Sequence, residues 1–162
     1  MKLILTLITM SCLTISMNGS AQLTETEIRE LVENSSESQL VMQVSNLTQE
    51  GYLFYAEIAC DRLLVIKPES ANYNYRKGFL LLDIRKDYIG AIPYLEKAIL
   101  DVDINYDMYS PKEKSAAIDA IYHLAQCYHL NEDIGKALEN YQLFVASSDK
   151  KSELLPVAEL RI

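Results

Sequence analysis

The sequence predicts an all-α fold, an α-solenoid of antiparallel helix pairs with about three repeats and a terminal helix. Three observations carry this. Apolar residues at helical spacing follow one another along the chain, while glycine and proline number only 5 and 4, and no alternating strand pattern flanked by turns occurs. Gly78, Ala91 and Ala98 stand within "NYRKGFLLLDIRKDYIGAIPYLEKAIL", residues 74 to 100, where a lone amphipathic helix would gain from larger side chains. Small residues there mean that another backbone comes close. The same small residues then return in register in a second helix pair.

The elements follow in order. Residues 1–21 read as a secretory signal peptide: Lys2, an apolar run to Met17, and small residues Gly19-Ser20-Ala21 before Gln22. The run is short for a membrane span, and no later segment qualifies. Cys12 raises the alternative of lipidation, but Thr9-Met10-Ser11 precedes it where a leucine three residues upstream would be usual. Residues 22–38 form a helical lead-in opened by a capping box at Thr24-Glu25-Thr26-Glu27, and "NSSES" breaks it before Gln39. The repeats occupy 39–147. In the first, 39–68, Gly51 starts the second helix and Pro68 ends it, because the residue before proline is pushed out of the helical region. The second, 71–101, turns at "DIRKD". After the tyrosine-rich connector "DINYDMYSP", the third, 111–147, is expected to begin its helix at Pro111 and to turn at "LNED". Residues 148–162 supply a terminal helix.

Superposing the pairs gives the repeat. Gly78 matches Ala125 and Leu81 matches Tyr128 in the first helices; Ala91 matches Ala137 and Leu95 matches Tyr141 in the second. Ala56, Leu63 and Pro68 take the corresponding places in the earlier pair. This is the tetratricopeptide pattern of small, large and aromatic residues at fixed sites. Ala56, Gly78, Ala91, Ala98, Ala125 and Ala137 are therefore the expected packing contacts. The register is imperfect, since the connector is inserted between repeats, the turn after Leu81 carries one extra residue, and Phe144 replaces a small residue late in the last helix.

Composition narrows the function. A net charge of -8 opposes broad contact with nucleic acid or anionic lipid. Loss of Lys2 with the signal peptide makes the charge one unit more negative. Cys60 and Cys127 would remain, too far apart for a disulfide framework and both in apolar helical stretches. Asp119, His123 and Cys127 share one helical stripe at four-residue spacing and could in principle form a thiol or metal centre. A repeat helix explains that stripe more simply, and no phosphate loop, CxxC pair or nucleophile elbow occurs. The expectation is no catalytic residue, no metal and no cofactor.

Tyrosine is abundant at 11 residues, and tryptophan is absent. Tyr75, Phe79, Tyr122 and Gln126 are expected on the inner face of the first helices, lining a concave groove with Arg76, His123 and His129 nearby. Such a groove suits an extended peptide or a partner helix, because tyrosine gives contact area at low entropy cost. The other reading is that these aromatics pack on an extra helix of the same chain. The acidic exterior favours a basic partner.

The segments "PESANYNYRKGF", "DYIGAIPYLEKAI" and "SPKEKSAAIDAIYHLAQCYHLNEDIGKALENYQLF" resemble the N-terminal tetratricopeptide region of large Gram-negative envelope proteins. Those continue into a β-propeller of WD40-like blades and an outer-membrane-protein-A-like domain that binds peptidoglycan, and some belong to a gliding and secretion apparatus. The likeness covers residues 35 to 162. It implies a periplasmic or outer-membrane-associated protein-binding scaffold whose partner is another envelope protein, with peptidoglycan reached only through domains absent here. The ending at Arg161-Ile162 fits either a truncated module of such a protein or a free-standing adaptor. The sequons Asn34-Ser35-Ser36 and Asn46-Leu47-Thr48 would be idle in a bacterium.

Overall fold

A computed structural model describes residues 24–162. The expected signal peptide, Cys12 and the expected cleavage site after Ala21 lie outside the described residues. Eight α-helices are described: α1 (Glu25–Glu33), α2 (Glu37–Gln49), α3 (Leu53–Ile66), α4 (Ala71–Phe79), α5 (Tyr88–Ala98), α6 (Asp119–Leu130), α7 (Ile134–Ser147) and α8 (Leu155–Glu159). The chain is an α-solenoid in which α2 packs on α3, α4 on α5, and α6 on α7.

Local chemistry sets most of the boundaries. Thr24 and Glu27 form the expected capping box, with the Thr24 amide donating to Glu27 Oε2 at 2.8 Å. Lys67, before Pro68, leaves helical geometry at φ -140° and ψ 83° and closes α3. Three equivalent turns follow the first helices. In each, a left-handed residue (Gly51, Lys86 or Glu132) precedes a residue whose amide donates back to the first helix: Tyr52 to Leu47, Asp87 to Leu81, Asp133 to Tyr128. Asp87 and Asp133 then cap the second helices by accepting from the Gly90 and Lys136 amides.

The extra residue of the middle repeat has a definite place. A π-helix over Leu80–Arg85 continues α4, so that Asp87 reaches back six residues to Leu81 where Asp133 reaches back five to Tyr128. The widened turn absorbs the insertion and leaves α5 in register.

The start of the third repeat differs from expectation. Residues 111–118 are not helical; Ala116–Ala117 pairs in parallel with Val102–Asp103, and α6 begins only at Asp119. Tertiary hydrogen bonds decide this. The N-terminal end of α4 takes the carbonyls that a helix from Pro111 would use: the Asn72 amide donates to Lys114 O at 3.1 Å and Asn72 Nδ2 to Glu113 O at 2.9 Å. Pro111 therefore sits in a turn rather than in a first helical turn.

Each expected packing residue is buried. Ala56, Ala91, Ala98 and Ala125 have no exposed surface, and Gly78 and Ala137 are buried as well. Phe144, the large residue at a small site, is fully buried and belongs to the same core cluster as Ala158 of α8.

Candidate protein-binding groove

Helix α4 carries Tyr75 and Phe79 one turn apart, and α6 carries Asp119 and His123 at the same spacing. Packing the two helices side by side gathers the rings. Tyr75 and Phe79 lie 6.2 Å apart, His123 stacks on Tyr75 at 6.3 Å with 23° between planes, and Phe79 meets His123 at 5.4 Å. These rings line a groove of about 810 Å³.

Its walls come from elsewhere in the chain. Val44, Ser45 and Thr48 of α2 form one side, and the turn between α7 and α8 contributes Asp149, Lys151 and Glu153. The connector folds back over the remaining part through Asp103, Ile104, Tyr106 and Met108. Tyr106 meets Tyr75 edge to face at 5.5 Å and donates its hydroxyl to Asn72 Oδ1 at 3.1 Å. The groove aromatics thus pack in part on their own chain, on the connector rather than on an extra helix.

Arg76 holds that connector. Only 5% exposed, it donates from Nε to Asn72 Oδ1 at 2.8 Å, from Nη1 to Val41 O and Ser45 Oγ, and from Nη2 to Met108 O at 2.5 Å. Ser45 Oγ donates to the same Met108 carbonyl at 2.9 Å. All of these acceptors are neutral, so the guanidinium ties α2, α4 and the connector together instead of standing free to anchor a partner.

The remaining expected groove residues are placed differently. Tyr122 is buried in the seam, edge to face with Tyr141 at 5.7 Å and 5.5 Å from Phe144. Its neighbour His123 faces the groove, so one residue of helical rotation separates core from surface. His129 lies edge-on to Tyr141 at 6.3 Å, outside the groove lining. Gln126 also lies outside that lining, with Oε1 3.3 Å from His123 Nδ1. Tyr75, Arg76, Phe79 and His123 are brought together; Tyr122, Gln126 and His129 are not among them.

Sequence reasoning left out Tyr106, Met108 and the α2 wall, although the tyrosine-rich connector was a signal. It also weighed Asp119 only as a chemical group. Asp119 is half-buried in the groove and has no hydrogen-bond or ion-pair partner among the described residues. Desolvation raises its carboxyl above the ordinary aspartate value, and the nearby His123 opposes that only in part. Burial in turn lowers His123 below the usual imidazole value despite Gln126, Asp119 and Asp83, so its ring is neutral at pH 7.

The Asp119, His123, Cys127 stripe does not converge on one centre. Cys127 is fully buried with Leu124 and Tyr128, and burial pushes its thiol up to about 12; Cys60 is likewise buried and raised to about 12. Such thiols stay protonated and are poor nucleophiles. Among the described residues no group of three His, Cys, Asp or Glu side chains could hold a metal ion, and no helix is long and apolar enough to cross a membrane.

Paired helices, small-residue contacts and an aromatic-lined groove define an α-solenoid of tetratricopeptide type. Solved structures agree. "MamA 41-end from Desulfovibrio magneticus RS-1", a tetratricopeptide-repeat protein, is similar with a TM-score of 0.59 and 24% identity, over 85% of this chain and 75% of that one. "MamA RS-1 ArsTM double mutant" is similar at 0.59 and 25% identity, over 85% and 74%. No protein-family model matches the chain, and no curated protein matches it significantly.

Proposed function

We propose that this chain is a non-catalytic scaffold of the bacterial envelope that binds a segment of another envelope protein in the groove between α2, α4, α6 and the connector. The single observation that carries the reading is the cluster of Tyr75, Phe79 and His123, three rings lining a groove wide enough for an extended segment. The solenoid supports a protein partner, because repeat arrays use concave surfaces for that purpose. The apolar leader before Gln22 and the resemblance of residues 35 to 162 to envelope proteins support a periplasmic or outer-membrane-associated location.

A photo-crosslinking residue at position 79, introduced in the source cell, tests the reading. The expected result is one discrete adduct with an exported protein, lost when Tyr75→Ala is added and not formed from position 65 on the outer face. Equal adducts from both positions would remove the groove as the binding site. An immunoblot of the same cells reads the rest: a band slightly below 18.4 kDa in the periplasmic fraction is expected of an adaptor. A band far larger would favour the reading as the N-terminal module of a peptidoglycan-anchored envelope protein, for which the same resemblance argues.

A further inference from the structure

The groove has an electrostatic character that its aromatic lining does not require. Four carboxylates line it, Asp103, Asp119, Asp149 and Glu153, against two cations, Arg76 and Lys151. Arg76 is turned inward and committed to the connector, so the surface that a ligand meets is more acidic than that count suggests. The carboxylates are not equivalent. Asp103 accepts from the Asn105 amide and Asp149 from the Lys151 amide, whereas Asp119 has no hydrogen-bond or ion-pair partner among the described residues and is half-buried beside the rings.

We propose that the partner segment presents a lysine or arginine side chain to this groove, its cation over the Tyr75, Phe79 and His123 rings and its charge balanced by Asp119. This rests on the groove reading above and names the chemistry of its ligand. A ring face carries the negative lobe of the aromatic quadrupole and attracts a cation, the more strongly where water is thinned. A partly desolvated carboxylate with no partner is costly, and a cation removes that cost. The neutral state of His123 matters too, because a protonated ring would repel the same cation. An acidic segment would meet four like charges. A purely apolar one would cover Asp119 and leave it unpaired. The net charge of -8 also draws cationic partners toward the chain.

The test uses three fluorescein-labelled decapeptides, identical except for a central Lys, Gln or Glu between two leucines, titrated into the mature protein by fluorescence anisotropy. The expected order is Lys, then Gln, then Glu, with Lys about tenfold tighter than Gln and the gap narrowing at high salt. In Asp119→Asn, whose fold is checked by its melting curve, the Lys-to-Gln ratio falls to about one. Phe79→Leu keeps apolar bulk without the ring and is expected to narrow the ratio as well, which keeps the test open if Asp119→Asn does not fold. Equal binding of the Lys and Gln peptides would overturn the cationic ligand and leave the groove reading standing. Binding of none of them up to millimolar concentration would overturn both. A Lys preference unchanged in Asp119→Asn would overturn the assigned counter-charge and the proposal with it.

Discussion

At Gly78, a Cβ would meet Leu95 Cγ at 2.7 Å and Cδ2 at 2.8 Å, closer than side chains approach. Leu95 is fully buried and has nowhere to retreat. Alanine gains up to about 1 kcal/mol in helix propensity, but overpacking a filled core costs about 1 to 3 kcal/mol, so the clash wins. Gly78→Ala is expected to lower stability by about 1 to 2 kcal/mol in urea unfolding; a stabilised variant would mean that Leu95 can move aside. The two cysteines are argued at the same scale. Both thiols are held near 12 by burial, so neither is expected to react with an aromatic disulfide reagent at about pH 8 before the chain unfolds. Rapid labelling of Cys127 in the folded protein would revive the thiol chemistry that its spacing from His123 allows. Tyr122 and His123 show how fine the residue scale is: adjacent in sequence, one completes the seam and the other lines the groove.

Between elements, an ionic cluster fastens the first repeat to the second. Lys77 of α4, 5% exposed, contacts Glu57 at 3.0 Å and Asp61 at 2.6 Å on α3, and Arg85 of the π-turn reaches Glu57 at 2.6 Å. Burial opposes ionisation of Glu57, yet hydrogen bonds from Lys77 and Arg85 outweigh it and hold the carboxyl below 4.5. A folded value below the unfolded one stabilises above that unfolded pKa, and the contribution is lost as the pH falls through the folded value. Lys77 is the mirror case: burial lowers it, its bonds to Asp61 and Glu57 outweigh that, and it stays above 10.5. Its contribution is whole below pH 10.5 and is lost as the pH rises through the folded value. The wild type is therefore expected to lose more urea resistance between about pH 5 and pH 3 than Glu57→Gln does. Equal losses would place the acid sensitivity in other carboxylates. The connector is the other element-scale result. Its tyrosines were visible in the sequence, but its docking depends on Arg76, Ser45 and Asn72, residues 32 or more positions away from the Met108 and Tyr106 they hold, and no local pattern pairs them.

The described residues form two main apolar clusters, one from α1 to the first residue of the π-turn with Leu40, Leu63 and Leu80, the other from the rest of the π-turn to α8 with Leu95, Leu124 and Phe144. Ala71, Ala98, Ala116 and Ala120 form a small cluster where α4, α5, the Ala116–Ala117 strand and the start of α6 converge. A larger side chain there has to part several backbones at once. Ala98→Leu is expected to cost about 1 to 3 kcal/mol and to weaken hydrogen-exchange protection in α4 and α6 alike; a loss confined to α5 would show that this junction does not couple the repeats. The sequence by itself determined the paired helices, the small contact sites, the bounds of α7 and the extra residue after Leu81, because periodicity, caps and repeat register are local or recur at fixed spacing. Tertiary structure alone decided that the extra residue becomes a π-turn, that 111–118 is not helical, and that Arg76 faces inward. It also decided that Tyr122 belongs to the core and Asp119 to the groove. The physical reason is common to all five: each is settled by hydrogen bonds or packing to residues distant in sequence, and these outweigh the weak local preferences that a sequence displays.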